Sequence, residues 1–300
     1  MNIVDFLKNS ANKYPQKIAL IYENNSFTFS ELWKLVKNFS LPVELFNQQN
    51  VISLISENSA SFVIAYLGIM NLGKTVHIVS PEISETNLTN QIISSNSSMI
   101  ICSESIFHKI SKFNSIKIPI FQLNDIPKNT NSFSSESNEI AYLIYTSGTT
   151  SEPKGVGINH SIVEFATKNI VQVLKYSNSD VDVLPLPLHH SFGLGCLHVS
   201  LFVGSTLILL KNSSDLQNIL DTMKKYNATT LAAVPATLSK FLKFNENNLK
   251  DYFSDIRLVI TNTTKIPINT IQKFKKIISN GNLATYYGLT EASRSSFMIF

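Results

Sequence analysis

Residues suited to chemistry fall in three short stretches of this 300-residue chain, and each stretch follows an apolar run. The first stretch, 145–156, reads YTSGTTSEPKGV. Its hydroxyl side chains, exposed backbone N–H groups and one ammonium can together surround an anion such as a phosphate. The spacing excludes a P-loop, because Pro153 stands where the second glycine is required and Gly155 follows the lysine. A Ser/Thr-rich surface turn is the alternative interpretation.

The second and third stretches, 185–194 and 286–291, read PLPLHHSFGL and YYGLTE. Glycine is scarce in this chain, and its placement favours the three stretches. Of ten glycines, six lie in or beside them: Gly148, Gly155, Gly157, Gly193, Gly195 and Gly288. Because glycine lets another group approach the backbone closely, this placement predicts close backbone approach at these positions.

Taken in this order, the three stretches resemble the signature motifs of the adenylate-forming enzymes. This family includes acyl-CoA and aryl-CoA synthetases, luciferases and the adenylation domains of peptide synthetases. The first stretch is similar to the phosphate-binding signature, the second to the histidine motif of acyl-CoA synthetases, and the third to the adenine and magnesium motif. Residues 232–236 and 257–260 stand where the family has a proline that starts a helix and the strand before its adenine loop. The resemblance covers essentially the whole chain.

The resemblance implies a role for each candidate site residue. The residues implied to hold the β- and γ-phosphates of ATP are Thr146, Ser147, Gly148, Thr149 and Thr150, with Lys154 adding a positive charge. The residues implied around the adenine are Asn262, Thr263, Tyr287 and Gly288. The implied catalytic residues are His190 at the mouth of the acyl pocket, Thr290 on the α-phosphate, and Glu291 as the ligand of Mg²⁺.

Structural roles remain open for three of these residues. His190 can be a loop or core histidine whose ring nitrogens are hydrogen-bonded within the protein. His189 and His198 lie close by and show that histidine is common in this part of the sequence. Glu291 can be a residue of a first helical turn that the helix dipole favours, and Tyr287 can simply pack a strand.

The reaction implied by the resemblance joins a carboxylic acid to ATP, giving an acyl adenylate that coenzyme A or another thiol then attacks. Family members that activate amino acids usually carry an aspartate in the histidine motif. This chain has histidines and Phe192 there and no carboxylate, which favours a fatty or aryl acid. Two alternatives remain: an inactive nucleotide- or acyl-binding module, and a remnant that does not fold stably.

The sequence departs from the family pattern at three places. Ser151 stands where the phosphate motif usually has glycine, and Glu152 after it places a carboxylate near the expected phosphate site, which should weaken phosphate binding. The adenine loop, often Gly-Gly-Ala-like, reads TNTT at 261–264. The sequence ends at Phe300, so the small C-terminal domain of the family is expected to be absent. We therefore expect a fragment, a split gene or a subunit that depends on a partner, such as a separate C-terminal domain or a carrier protein.

The pattern of apolar segments predicts an α/β fold of two stacked αβ subdomains with mostly parallel sheets. The expected subdomains are 1–130, which opens with a β-hairpin, and 139–300, which carries the ATP motifs; a polar linker is expected at 124–138. Predicted strands are 18–22, 27–29, 51–55, 75–79, 140–145, 181–184, 206–210, 229–234, 256–260 and 284–287. Predicted helices are 30–40, 60–72 and 84–95, with Pro267 in the first turn of another.

Composition excludes several classes of protein. Apolar residues make up 44% of the chain, which excludes a disordered chain or a small disulfide-stapled one. The net charge of +4 comes from scattered lysines and argues against nucleic acid as a partner. Cys102 and Cys196 stand far apart without metal-ligand spacing. Asp5 interrupts the N-terminal apolar stretch, which argues against a secretory signal, and no apolar run is long enough for a membrane span, so a cytoplasmic location is expected.

Overall fold

The computed structural model of the protein describes residues 1–39, 50–125, 139–146, 154–278, 280–289 and 296–300. The chain divides into two compact units. The first unit contains residues 1–15 and 29–165, and the second contains residues 16–28 and 166–300. Each unit is built around its own β-sheet.

The strands described in the first unit form a six-stranded sheet in the order β6-β5-β3-β4-β7-β8. These strands are β3 (Val51–Ile55), β4 (Thr75–Val79), β5 (Ser97–Cys102), β6 (Ile120–Gln122), β7 (Ile140–Thr146) and β8 (Lys154–Asn159). The pairings are parallel except β7 with β8, which is antiparallel. The described helices of this unit are α1 (Ile3–Lys13), α2 (Phe29–Lys37), α3 (Ala60–Asn71), α4 (Glu85–Ser95) and α5 (Glu104–Ile110).

Two helices of the first unit, α3 and α4, are each capped at the amino-terminal end by a serine side chain. Ser59 accepts a hydrogen bond from the N–H of Phe62 at the start of α3, and Ser84 accepts one from Asn87 at the start of α4. Strands β4 and β5 are buried at every position, as expected for parallel strands covered on both faces. These caps and buried strands fix the carboxyl ends of the strands, where the connecting segments begin.

The strands described in the second unit form an eight-stranded sheet in the order β14-β13-β12-β11-β9-β10-β1-β2. These strands are β1 (Ile18–Tyr22), β2 (Asn25–Thr28), β9 (Val181–Leu184), β10 (Thr206–Leu209), β11 (Thr230–Ala232), β12 (Leu258–Thr261), β13 (Asn282–Tyr287) and β14 (Ser296–Ile299). Only the outermost pairings, β1 with β2 and β13 with β14, are antiparallel among these strands.

The helices described in the second unit are α7 (Ser191–Val203), α8 (Leu216–Lys225), α9 (Pro235–Phe241), α10 (Glu246–Tyr252) and α11 (Ile268–Ile277). Helix α6 (His160–Leu174) has residues in both units. The core of the second unit includes Phe241, Phe253 and Phe274, whose rings contact one another edge to face between α9, α10 and α11. Within the part of the chain that the structure describes, no helix combines the length and the apolarity needed to cross a bilayer.

A buried polar cluster lies at the amino-terminal end of β9. Arg257 donates two hydrogen bonds to Asp180, at 2.7 and 2.6 Å, and forms a bidentate ion pair with it. Asp182 accepts hydrogen bonds from Thr230 and from Ser205, the latter at 2.7 Å. Burial raises the pKa of the Asp182 carboxyl to about 6, although both hydrogen bonds oppose the shift.

The predicted alternation of strands and helices is confirmed in both units. The predicted strand 206–210 is confirmed as β10, which follows the largely buried helix α7. The predicted strand 27–29 is wrong at its end, because Phe29 begins α2, and Pro267 is the N-cap of α11 rather than part of its first turn. The helix predicted to reach Ser40 is too long, because α2 ends at Lys37 and Asn38 and Phe39 are not helical.

The two compact units have different residue boundaries from the expected subdomains. Strand β7 hydrogen-bonds β4 and β8, so 140–146 and 154–159 belong to the first sheet, whereas the hairpin of β1 and β2 joins the second sheet through β10. The expected linker lies outside the described residues except at 124–125, which belongs to a short 3₁₀ turn. The boundary expected there stays a prediction.

Candidate functional site

The two ends of the expected phosphate-binding segment lie opposite each other in the first unit. Thr146 ends β7, Lys154 begins β8, and the two residues are partners in the antiparallel ladder. Such partners have Cα atoms about 5 Å apart. Ser147, Gly148, Thr149 and Thr150 lie outside the described residues, as does 151–153. Sequence reasoning thus placed the segment correctly at the end of a strand but missed β8, the strand that follows it.

Tyr145 and Gly155 form the next pair of this ladder, and the tyrosine ring lies against the glycine. A Cβ atom at Gly155 would stand 2.9 Å from the Cζ atom of Tyr145. Gly193 is approached still more closely, since a Cβ atom there would lie 2.3 Å from the carbonyl oxygen of Pro187. The predicted close approach to backbone is therefore confirmed at Gly155 and Gly193.

A cavity of about 460 Å³ lies at the carboxyl ends of β12 and β13 in the second unit. Its lining includes three residues predicted from the sequence, Asn262, Thr263 and Tyr287, and Gly288 follows β13 directly. The other lining residues are Thr264, Lys265, Thr285, Tyr286, Ser296, Phe297 and Met298. Tyr287 is 65% exposed, so its ring is accessible to a flat ligand. The carboxyl edge of a parallel sheet is the usual place for ligand binding in open α/β folds.

The loop after β12 carries an unusual backbone conformation. Thr263 has a φ of 92°, in the region that favours glycine. A β-branched residue held there costs about 1–3 kcal/mol unless its surroundings compensate. Thr261 precedes Asn262, and its buried hydroxyl has no hydrogen-bond partner among the described residues. The replacement of a glycine-rich loop by TNTT, noted in the sequence, thus coincides with strain at Thr263.

His190 lies at the amino-terminal end of α7, where it occupies the N-cap position without capping the helix through its side chain. The unpaired N–H groups and the dipole at this end of a helix favour a negative charge. Burial and the neighbouring His190 lower the pKa of His189 to about 4. Phe192 contacts Tyr286 edge to face, with ring centroids 5.3 Å apart. This contact ties the first turn of α7 to β13, next to Tyr287.

The other two predicted catalytic residues, Thr290 and Glu291, lie outside the described residues. Within the described ranges, no group of three or more His, Cys, Asp and Glu side chains is arranged to hold a metal ion. Sequence reasoning missed Phe297 and Met298, which line the cavity from β14. The apolar run at 297–300 could have indicated that strand.

Comparison with known proteins identifies the family of this chain. The profile of the family described as "AMP-binding enzyme" matches residues 7–299. The chain is 25% identical over 309 residues to the polyketide synthase PksN of Bacillus subtilis, covering 97% of this chain and 6% of the relative. It is 25% identical over 321 residues to 4-coumarate–CoA ligase-like 8 of Arabidopsis thaliana, covering 98% of this chain and 58% of the relative. The chain therefore spans less than two thirds of the length of each of these curated relatives.

Solved structures share the fold. The crystal structure of VinN matches with a TM-score of 0.85 at 21% identity, covering 99% of this chain and 77% of VinN. The o-succinylbenzoate CoA synthetase of Bacillus subtilis, in complex with AMP, matches with a TM-score of 0.83 at 22% identity, covering 98% of this chain and 60% of that structure. Because the family profile covers nearly the whole sequence, this chain belongs to the family of AMP-binding enzymes.

Proposed function

We propose that this chain is the nucleotide-binding part of an AMP-forming ligase that activates a carboxylic acid with ATP. The observation that carries the proposal is the cavity at the ends of β12 and β13, lined by Asn262, Thr263 and Tyr287 in a chain of the AMP-binding family. Its volume of about 460 Å³ is in the range of small-molecule sites.

In this proposal the second unit binds the nucleoside. The exposed ring of Tyr287 stacks on the adenine, and the amide of Asn262 and the hydroxyl of Thr263 supply hydrogen bonds to its polar edge. Gly288, which follows the strand, leaves the backbone accessible beside the stacked base. Thr290 is proposed to bond the α-phosphate, on sequence grounds.

In the same proposal the segment from Thr146 to Lys154 binds phosphate groups. Thr146 and the exposed Lys154 are held opposite each other by the ladder, so that a hydroxyl and an ammonium are available at the same end of the strand pair. Residues 147–150 are proposed to add hydroxyl and N–H donors. Glu291 remains the proposed magnesium ligand, and the metal would neutralise phosphate charge.

The acid substrate is proposed to place its carboxylate near the amino-terminal end of α7, beside His190. The described residues 185–192 contain two histidines and Phe192 and no acidic side chain, which supports a fatty or aryl acid rather than an amino acid. A carboxylate oxygen then attacks the α-phosphorus of ATP, the bond to the β-phosphate oxygen breaks, and pyrophosphate leaves. Coenzyme A or another thiol, presented free or on a carrier protein, attacks the acyl carbon and releases AMP. A cytoplasmic location is part of the proposal, because Cys102 and Cys196 are thiols and form no disulfide.

The experiment is pyrophosphate release with ATP, Mg²⁺ and a panel of fatty acids, aryl acids and amino acids, measured with a C-terminal domain of a family member supplied. We expect release with at least one fatty or aryl acid. Lys154→Ala and Tyr287→Ala should reduce it by about tenfold or more, the loss expected for one charged contact or one stacking contact. Lys273→Ala, an exposed lysine on α11, is the matched control and should leave release unchanged.

Two results would contradict the proposal. Release with amino acids alone would overturn the assignment of the acid. Binding of ATP without release for any acid would instead favour a nucleotide-binding module that lacks the reaction.

A further inference from the structure

A cluster of buried polar side chains joins β3, β4, β5 and α4 in the first unit. At its centre is His77 of β4, whose side chain is fully buried. The Nδ1 atom of His77 lies 2.9 Å from the hydroxyl of Ser53 and 3.4 Å from those of Ser95 and Ser97, and Nε2 lies 3.3 Å from the amide oxygen of Gln91. Both ring nitrogens therefore have partners, on β3, α4 and β5.

The imidazole of His77 is held neutral by its surroundings. Burial lowers the pKa of His77 to about 4, and the hydrogen bond to Gln91 offsets this only in part. The hydroxyls of Ser53 and Ser97 lie 2.9 Å apart and those of Ser95 and Ser97 lie 2.7 Å apart, so the serines also bond one another. A buried network in which every member is bonded holds its side chains in one arrangement.

The ring of His77 contacts Tyr145 edge to face, with centroids 5.1 Å apart and an interplanar angle of 61°. The hydroxyl group of Tyr145 lies 2.6 Å from that of Ser94 and donates a longer hydrogen bond, of 3.5 Å, to the carbonyl oxygen of Gln91. On another side, the tyrosine ring lies against Gly155. The ring is therefore held by three elements at once: β4, α4 and β8.

We propose that His77 is a positioning residue for nucleotide binding: through the ring of Tyr145 it fixes Thr146 and Lys154. Tyr145 and Gly155 are ladder partners, and Thr146 and Lys154 are the next pair along the same two strands. A change in the tilt of the Tyr145 ring would press on the backbone at Gly155, because no side chain separates the two. This inference rests on the proposed function, since it assigns Thr146 and Lys154 to phosphate binding.

The test compares His77→Phe with His160→Phe. Phenylalanine keeps an aromatic ring at position 77 and removes both nitrogens. His160 is a matched control: it is also a buried histidine of the first unit with its pKa lowered to about 4, and it accepts a hydrogen bond from the N–H of Ile3 at 3.2 Å. It follows the far end of β8, away from Lys154. Both variants should lose stability, because each leaves buried groups without partners.

Two readouts separate positioning from simple destabilisation. Calorimetry well below the melting temperature gives the affinities for ATP and for adenosine, which lacks the phosphates. We expect His77→Phe to weaken the affinity for ATP by about tenfold, which is one pKd unit, and to change the affinity for adenosine little. His160→Phe should leave the ratio of the two affinities unchanged. Amide hydrogen exchange at Lys154, Gly155 and Val156 should speed up in His77→Phe and not in His160→Phe.

Tyr145→Phe is the second variant, and it leaves the serines and His77 intact. Loss of the contact between the Tyr145 hydroxyl and Ser94 should weaken the affinity for ATP by a few fold and speed hydrogen exchange at the same three amides. If the wild type binds no ATP, the proposed function fails, and hydrogen exchange alone decides whether His77 positions these residues. Unchanged hydrogen exchange at 154–156 in both His77→Phe and Tyr145→Phe would overturn the inference. So would a change in the ratio of the ATP and adenosine affinities that is as large in His160→Phe as in His77→Phe.

Discussion

Replacing Asp182 by asparagine should remove a specific part of the pH dependence of folding. Asp182 is 7% exposed, and the pKa of its carboxyl is raised from 3.8 to about 6. Because the folded state holds this proton more tightly than the unfolded state, the stabilisation is complete below pH 3.8 and is lost as the pH rises through 6. The shift of about two pKa units corresponds to about 3 kcal/mol over the whole range.

The assay is urea unfolding of the wild type and Asp182→Asn at pH 4.5 and pH 7.5. The stability of the variant relative to the wild type should rise by about 2 kcal/mol between these pH values, since part of the linkage lies below pH 4.5. Asparagine can still accept from Ser205 and donate to Thr230, so the fold should persist. The pH effects of buried histidines are common to both proteins and cancel in the difference.

Asp180→Asn is the companion variant. Burial alone would raise the pKa of Asp180, but hydrogen bonds from Arg257, the N–H of Ser177 and Thr229 outweigh it and lower the pKa. Asp180 is therefore ionised at both pH values, and losing its pair with Arg257 should destabilise the protein at both. A stability difference between Asp182→Asn and the wild type that stays constant from pH 4.5 to pH 7.5 would show that the pKa of Asp182 is not raised by folding.

Two further substitutions test the backbone geometry around the site. Thr263→Gly should stabilise the protein by up to about 1 kcal/mol in urea unfolding, because relief of the positive φ exceeds the entropic cost of glycine. Thr264→Gly, which has no such strain to relieve, is the control and should destabilise; equal losses in both would contradict this account. Gly193→Ala should destabilise by about 1–3 kcal/mol through the clash with Pro187. Gly195→Ala, in the same helix, should be neutral or stabilising, and an equal loss there would exclude the clash as the cause.

Parallel strands could be predicted because their apolar runs are continuous and bounded by turn residues. Residues 18–22 were predicted to the residue for this reason. Residues 75–79 and 181–184 were also predicted to the residue, although His77 and Asp182 interrupt their apolar runs. Strand β8 was missed because two glycines, Gly155 and Gly157, give its sequence low strand propensity. Strand β5 was missed because the turn before it is a single residue, Asn96, in the left-handed conformation.

Cavity-lining residues could be predicted where a motif meets the end of a strand, as with Tyr287 at the end of β13 and Asn262 after β12. The role inferred for His77 could not be predicted in this way. Its partners Ser53, Gln91 and Ser97 come from three different elements, and only the fold brings them together. The strain at Thr263 is equally invisible in the sequence, because threonine alone gives no indication of a positive φ.

According to the proposed function, this chain binds an acyl adenylate at the ends of β12 and β13. Calorimetric titration with a stable acyl-adenylate mimic, an acyl sulfamoyl adenosine, is the decisive measurement. We expect one mimic per chain, competition with ATP, and an affinity weakened by about tenfold or more in Tyr287→Ala, the loss expected for one stacking contact. Absence of binding, or binding that Tyr287→Ala leaves unchanged, would overturn the proposed function.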